Sequence, residues 1–248
     1  MNIDSFFDLV SSKLESEKFK NCPFPLYRGH SKDSYELLPT LHRAYAKTGK
    51  DIWLFENNLY CDFRSLAGPR LNFNNSWEVV FAMRHEGIPT RLLDWTENIG
   101  TALFFAFDSD IIENPHIWIL EPYALNNKTP SIGEILLNPV EDLKDYASSY
   151  GSKCNDTANN IEIHELPILV YPHRSNERIF AQRGLFSIHG TNQKKMEETC
   201  PDCLEKIAIP HEVIGKLKDL LKQFGINKYS VYPDIKGLCD YLKASYGY

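Results

Sequence analysis

Gly87-Ile88-Pro89-Thr90-Arg91-Leu92-Leu93-Asp94-Trp95-Thr96 runs shortly afterwards into Thr101-Ala102-Leu103-Phe104-Phe105-Ala106-Phe107. The second run is too apolar to face water, so the polar decade before it is expected at the rim of a core. Upstream, Trp77, Val80, Phe81 and Arg84 recur at helical spacing and end at Gly87, which reads as a helix with a glycine stop. Pro89 fixes its own φ and pushes Ile88 toward an extended conformation, so Thr90 to Thr96 is expected as a non-helical segment held in one shape. The unit is therefore a helix, a turn, a polar decade and a buried helix.

Outward from this unit, helical patterns cover residues 3–19, 50–67, 74–86, 98–109, 175–183, 211–224 and 234–245. Strand-like runs are Pro25 to Arg28, His116 to Leu120, Leu166 to Tyr171, Leu185 to His189 and Glu205 to Ile209, each short and flanked by turn residues. Without a regular strand-helix alternation, an α+β fold fits better than a doubly wound one. The expectation is one domain over residues 1–248. It has a small mixed or antiparallel sheet of short strands surrounded by helices, an N-terminal helix within 1–20 and a helical segment over 211–248. The stretch from Asn126 to Asn160 is rich in Asn, Ser, Thr and Lys, and Tyr146 to Asp156 within it reads as a surface loop, either a lid or an ordinary connection.

A chain of 248 residues that is 43% hydrophobic can bury a substantial core. Its formal charge of −6 argues against a broad phosphate-binding face. A local basic groove stays open, because Arg28, Arg43, Arg64, Arg70, Arg84 and Arg91 fall in the first part of the chain. No apolar run reaches the roughly 18 to 20 residues of a membrane span, so no membrane partner and a cytoplasmic location are expected. The six cysteines show no framework spacing. Cys200-Pro201-Asp202-Cys203 has the form of half a zinc site, flanked by His189 and His211, but without a second pair it reads as a plain turn and no metal is expected. No glycine-rich phosphate loop, nucleophile elbow or His-Glu-x-x-His helix is present. Any nucleotide would have to be held by side chains and single backbone groups.

Tyr27-Arg28-Gly29, Leu37-Leu38-Pro39-Thr40-Leu41, His85 through Thr96 and Ala102-Leu103-Phe104-Phe105-Ala106 occur in that order, followed by Arg178, Gln182, Gly184 and Phe186. In these motifs the chain resembles the FRG-domain family, named for its aromatic-Arg-Gly signature. Leu220 to Leu242, with Tyr232-Pro233-Asp234, is similar to the family's closing segment. Arg84 departs from the pattern, since the family usually carries glutamine before the histidine. A more distant comparison is with ADP-ribosyltransferases, in which an early-strand arginine binds NAD and a helix with an Ala-Leu-x-Phe-Ala pattern packs behind a Ser-Thr-Ser strand. Arg28 and Asp94-Trp95-Thr96 fall in the corresponding places. This likeness implies an ADP-ribosyltransferase-like core, NAD as substrate and a glutamate on a later strand. The matching region, Glu177 to Phe186, offers Gln182 instead.

Arg28 supplies a planar fork of donors matched to phosphate or carboxylate, and Gly29 would let a ligand approach the backbone. Arg28 reads also as a structural partner of a carboxylate such as Asp94, and the two readings are compatible. Arg91 and Asp94 could pair with each other and lock the turn, or Asp94 could fix an arginine that holds an anion. Trp95 is either a core plug or a stacking platform, and His85 either a proton carrier or a helix-terminal cation. Two function classes follow. In the first, an NAD-consuming or nucleotide-modifying enzyme uses Arg28, Asp94 and Gln182 in catalysis, with Tyr27, Arg28, Gly29, Thr90, Arg91, Asp94, Trp95 and Thr96 around the nucleotide and a protein or nucleic acid as acceptor. FRG-type chains resemble effectors of conflict between bacteria and phage. In the second class a non-catalytic module binds a nucleotide or a partner protein through the same cleft.

Overall fold

The structure is a computed structural model that describes residues 2–48, 52–134, 136–143, 145–146, 164–172 and 177–248. Its centre is a six-stranded sheet built from β1 (Leu26–His30), β2 (Leu92–Thr96), β3 (His116–Leu120), β4 (Ile168–Val170), β5 (Gly184–Ile188) and β6 (Leu204–Ala208). The strand order is β4-β5-β2-β1-β3-β6, and every neighbouring pair is antiparallel. The α+β class expected from the sequence is thus observed.

Five of the six strands coincide with the apolar runs read from the sequence. The sixth is a correction. Leu92–Thr96, expected as a shaped non-helical decade, is a central strand registered along its whole length with β5. Its alternation puts Leu93 and Trp95 on one face and Leu92, Asp94 and Thr96 on the other, as the two-residue period requires. Because both faces are covered, the segment lacks the polar-apolar alternation of a half-exposed strand.

One face carries α1 (Ile3–Leu14), α5 (Ile99–Phe107) and α9 (His211–Gln223), whose apolar residues join Tyr27, Ile117, Ile119 and Ile207 in one core cluster. The same face carries α3 (Ile52–Ala67) and α4 (Ser76–His85), packed with Leu92, Ile168, Val170, Phe186 and Ile188 in a second cluster. The opposite face buries Leu26, Leu93, Trp95, Trp118, Leu120, Leu169 and Leu185 against Leu37 and α6 (Pro122–Asn127). The remaining described helices are α2 (Thr40–Thr48), α7 (Glu177–Ala181), α8 (Met196–Thr199), α10 (Lys228–Val231) and α11 (Ile235–Tyr246). Among the described helices, α2, α6, α8 and α10 have no counterpart in the helical patterns of the sequence. Most of the loop expected over Tyr146 to Asp156 lies outside the described residues. Among the described residues no helix is long and apolar enough to cross a membrane.

Two local devices set the geometry between the first two clusters. Helix α4 is capped by Asn75, whose side chain accepts from the Glu78 amide, and the chain turns after it at Gly87 with φ +79°, a conformation natural to glycine. Gly29 lets α5 settle onto β1: a Cβ there would lie 1.8 Å from the Ala102 carbonyl oxygen. The close backbone approach that Gly29 permits is therefore taken up by a helix of the fold.

Candidate functional site

Strands β1 and β2 share one registered pair, Tyr27↔Thr96, and beyond it their seam is filled by side chains. A cleft of about 760 Å³ opens over this seam, between the C-terminal ends of α4 and α5, and reaches α7. Arg28, Arg43, Arg84, Asp94, Arg178 and Gln182 all line it.

Asp94 is the hub of the floor. Arg84 grips its carboxylate with two donors, Nε to Oδ1 at 3.0 Å and Nη2 to Oδ2, while Arg84 Nη1 donates to Thr40 Oγ1 at 2.9 Å. Arg28 Nη1 donates to the Asp94 carbonyl oxygen at 2.7 Å and lies 3.4 Å from Oδ2, and its Nε donates to His30 Nε2 at 3.1 Å. Asp94 is densely surrounded yet keeps 37% of its side-chain surface open to the cleft. Burial alone would raise its pKa, but Arg84, Arg28 and Arg178 hold the carboxyl well below the ordinary carboxylate range.

The arginines feel the converse. Burial pulls Arg28 down to about 10, with Arg84 and Arg43 adding repulsion against the pull of Asp94. Arg43 is lowered by burial and by Arg84, whereas Arg84 is raised by Asp94. Further out, Glu36 pairs with Lys195 and Asp108 with Lys228, so both carboxylates are countered from outside the cleft, and Glu86 is 62% exposed. The floor is consequently a cluster of guanidinium groups around one carboxylate that is already paired. Such a floor suits an anion, which would relieve the repulsion that burial intensifies. The wall adds aromatic surface from Phe81, which stacks on Phe186 with centroids 5.3 Å apart, and from Phe105 and Tyr35.

Arg91 and Thr90, grouped with the ligand-binding residues from the sequence, are elsewhere. Arg91 is fully buried, and its guanidinium donates through Nε to both Glu56 oxygens, at 2.9 and 2.7 Å, through Nη2 to Glu56 Oε2, and through Nη1 to the Gly190 carbonyl at 3.0 Å. The Arg91–Asp94 pair weighed from the sequence does not form, because strand alternation separates positions three apart onto opposite faces. Thr90 is buried and accepts from the Leu92 amide. Tyr27 and Trp95 border the cleft but are 7% and 2% exposed, and Trp95 Nε1 donates to Ser187 Oγ at 3.0 Å. Thr96 Oγ1 donates to the Gln182 carbonyl at 2.6 Å, tying β2 to the turn before β5. Gln182 Nε2 donates to the Val231 carbonyl at 3.1 Å, so its amide serves the C-terminal segment. His85 sits at the rim, its carbonyl accepting from Arg178 at 3.3 Å.

The sequence offers Arg43 only as part of a diffuse basic set, places Arg84 also on a helical stripe and as a departure from the family pattern, and carries no signal for His30. The signal for Arg84 was available: helical spacing from Trp77 aims it at the end of α4, where Asp94 arrives by strand pairing. In the region compared with a catalytic glutamate, Glu177 opens α7 and does not line the cleft.

A family model described as FRG domain matches residues 25–114. The matched stretch contains β1, β2 and α5 with Arg28, Arg43, Arg84 and Asp94, while Arg178 and Gln182 come from beyond it. No curated protein and no solved structure matches the chain.

Proposed function

We propose that the cleft, whose floor lies in the stretch matched by the FRG-domain family model, binds a nucleotide, with NAD the first candidate. Arg28, Arg43 and Arg178 hold the phosphates, Arg84 holds Asp94, and the aromatic wall takes the base or the nicotinamide. The observation that carries this reading is the convergence of four guanidinium groups on one cleft whose single floor carboxylate is already gripped by Arg84. Planar forks of donors match phosphate oxygens, and the partial burial of Arg28 and Arg84 strengthens each contact. The site favours binding over group transfer. Asp94 is held ionised by Arg84, Arg28 and Arg178 and is a weak base, and Gln182 spends its amide on Val231.

A second reading is ADP-ribosyl transfer to a protein or nucleic-acid acceptor, in the setting of bacteria-phage conflict. It is favoured by Arg28 on β1 beside the Asp94–Thr96 end of β2, with α5 packed behind. In that reaction nicotinamide leaves with the electron pair of its glycosidic bond. The acceptor's nucleophile forms the new bond to the ribose carbon and gives up its proton. Asp94 is the carboxylate nearest the phosphate-holding arginines that could stabilise the cationic ribose.

Calorimetric titration with NAD and ADP at low and high salt, followed by assay of the same samples for nicotinamide, tests both readings. Saturable binding that weakens with salt supports the nucleotide site. Nicotinamide release in the presence of a cell extract as acceptor source supports transfer. No heat with either nucleotide overturns the proposal.

A further inference from the structure

A part of the chain far from the cleft floor contacts three of the side chains that line the cleft. Arg178, at the start of α7, is stacked on the ring of Tyr232, with the guanidinium carbon 4.7 Å from the ring centroid. Tyr232 is itself fixed from several sides. Its hydroxyl donates to Asp108 Oδ2 at 3.3 Å, Lys228 pairs with the same carboxylate, and Phe104 and Phe105 meet the ring edge-on at 6.3 and 6.0 Å. Gly237 lets α11 close down on this residue, since a Cβ there would lie 1.9 Å from the Tyr232 carbonyl oxygen. Val231, the neighbour of Tyr232, accepts from the Gln182 amide. Three cleft-lining side chains, Asp108, Arg178 and Gln182, thus anchor one short C-terminal segment.

A guanidinium held over a ring is attracted through its charge and keeps its N–H groups for other partners. The ring contact therefore locates the Arg178 guanidinium beside the cleft while its N–H groups serve acceptors, one of which is the His85 carbonyl at 3.3 Å. Its charge contributes to holding Asp94 ionised, which places it within electrostatic reach of the floor. We propose that Tyr232 is a positioning residue for the nucleotide site: its ring holds the Arg178 guanidinium against the ligand phosphates, so that the C-terminal segment completes a cleft whose floor is built by the FRG domain. This rests on the nucleotide reading above. Burial and the Asp108 carboxylate push the Tyr232 phenol up to about 12, so the hydroxyl stays a donor across the working pH range.

The test is ADP titration of the full chain as wild type, Tyr232→Phe, Tyr232→Leu, Arg178→Gln and the Tyr232→Leu/Arg178→Gln double variant. Tyr232→Phe keeps the ring and is expected to bind within about twofold of wild type, while Tyr232→Leu and Arg178→Gln each bind about tenfold more weakly. The double variant is expected to bind no more weakly than Arg178→Gln alone, because Tyr232 acts through Arg178. Additive losses, or wild-type affinity in Tyr232→Leu, overturn the assignment while leaving the nucleotide site standing. Absence of ADP binding to the wild type overturns both. Should Tyr232→Leu not fold, hydrogen exchange of the wild type decides: ADP is expected to slow exchange in residues 228–246, and unchanged exchange there with ADP bound refutes the coupling.

Discussion

Arg28 donates to the backbone carbonyl of Asp94 at 2.7 Å across the seam where β1 and β2 cease to pair. One guanidinium therefore stands in for ladder bonds and at the same time presents charge to the cleft. The structural and ligand-binding readings of this arginine, compatible in the sequence, are two uses of different edges of the same group.

Replacing Arg28 separates these uses. In Arg28→Ala, Asp94 keeps its two-donor grip from Arg84, so no charge is orphaned. The cost to folding is expected at about 1 to 2 kcal/mol for the lost charged hydrogen bonds. Nucleotide affinity is expected to fall by at least about tenfold, the worth of one good phosphate contact. Arg28→Lys restores the charge but not the fork that reaches His30 and Asp94 together, and should rescue stability less than it rescues affinity. Urea denaturation beside calorimetric titration measures both. Unfolding of Arg28→Ala would assign the residue to structure.

Arg91 belongs to stability instead. Its partner Glu56 is 4% exposed in the side chain and also accepts from the Tyr146 hydroxyl. Arg91→Ala leaves a buried carboxylate without its cation, a change that costs about 3 to 5 kcal/mol. For a chain of this size that lowers Tm by on the order of 10 °C. Glu56→Gln combined with Arg91→Met removes both charges and should recover part of the loss. A single Arg91→Ala variant with unchanged Tm and weakened nucleotide binding would return Arg91 to the ligand site.

Trp95 is a core residue by position, sealed on the sheet face opposite Asp94 with its indole N–H bonded to Ser187. Trp95→Ala should cost about 3 to 5 kcal/mol from lost burial and the cavity left behind. Trp95→Phe should recover most of it while leaving Ser187 short of a donor. A stacking platform would instead lose about 1 kcal/mol or less in stability and show its loss in affinity; chemical denaturation of the two variants distinguishes the cases.

The fold was legible wherever one physical period dominated. Apolar runs such as His116–Leu120 and the amphipathic face of His211–Gln223 announce a strand and a helix directly. Leu92–Thr96 escaped because a strand covered on both faces and carrying Asp94 has neither clean alternation nor a uniform apolar run. The cleft was half legible: Arg28 and Asp94 stand in local motifs, but Arg84 meets Asp94 only when α4 folds over β2, and Arg178 meets Tyr232 only through tertiary packing. Arg91 was misplaced for the same reason. Its buried carboxylate, Glu56, comes from α3, and nothing in the local sequence marks the two as partners.

Four buried histidines are expected to make the protein acid-sensitive. His30, His42, His116 and His189 are 4%, 2%, 1% and 0% exposed. Burial is the main cause that holds their imidazoles neutral, with Arg28 adding to it at His30, Arg91 at His42, Lys206 at His116, and His42 and Arg91 at His189. These surroundings lower the pKa to about 2, 3 and 4 for His30, His42 and His116, and well below the ordinary value for His189. An unfolded chain takes up these protons near pH 6.5, so below that pH the unfolded state binds more protons and acid favours unfolding. Their stabilising contribution is complete above about pH 6.5 and is lost as pH falls, by up to about 1.4 kcal/mol per histidine per pH unit. Asp94, with its lowered pKa, adds a loss of the same sign only at lower pH, and Glu197, raised by burial, opposes it as a single group. The urea midpoint should therefore hold steady from pH 8 to 7 and fall with increasing slope from about pH 6.5 to 5, well before the carboxylates of the unfolded chain titrate. A midpoint flat across that interval would mean that these histidines accept protons in the folded state, and that their environment is wetter than their packing indicates.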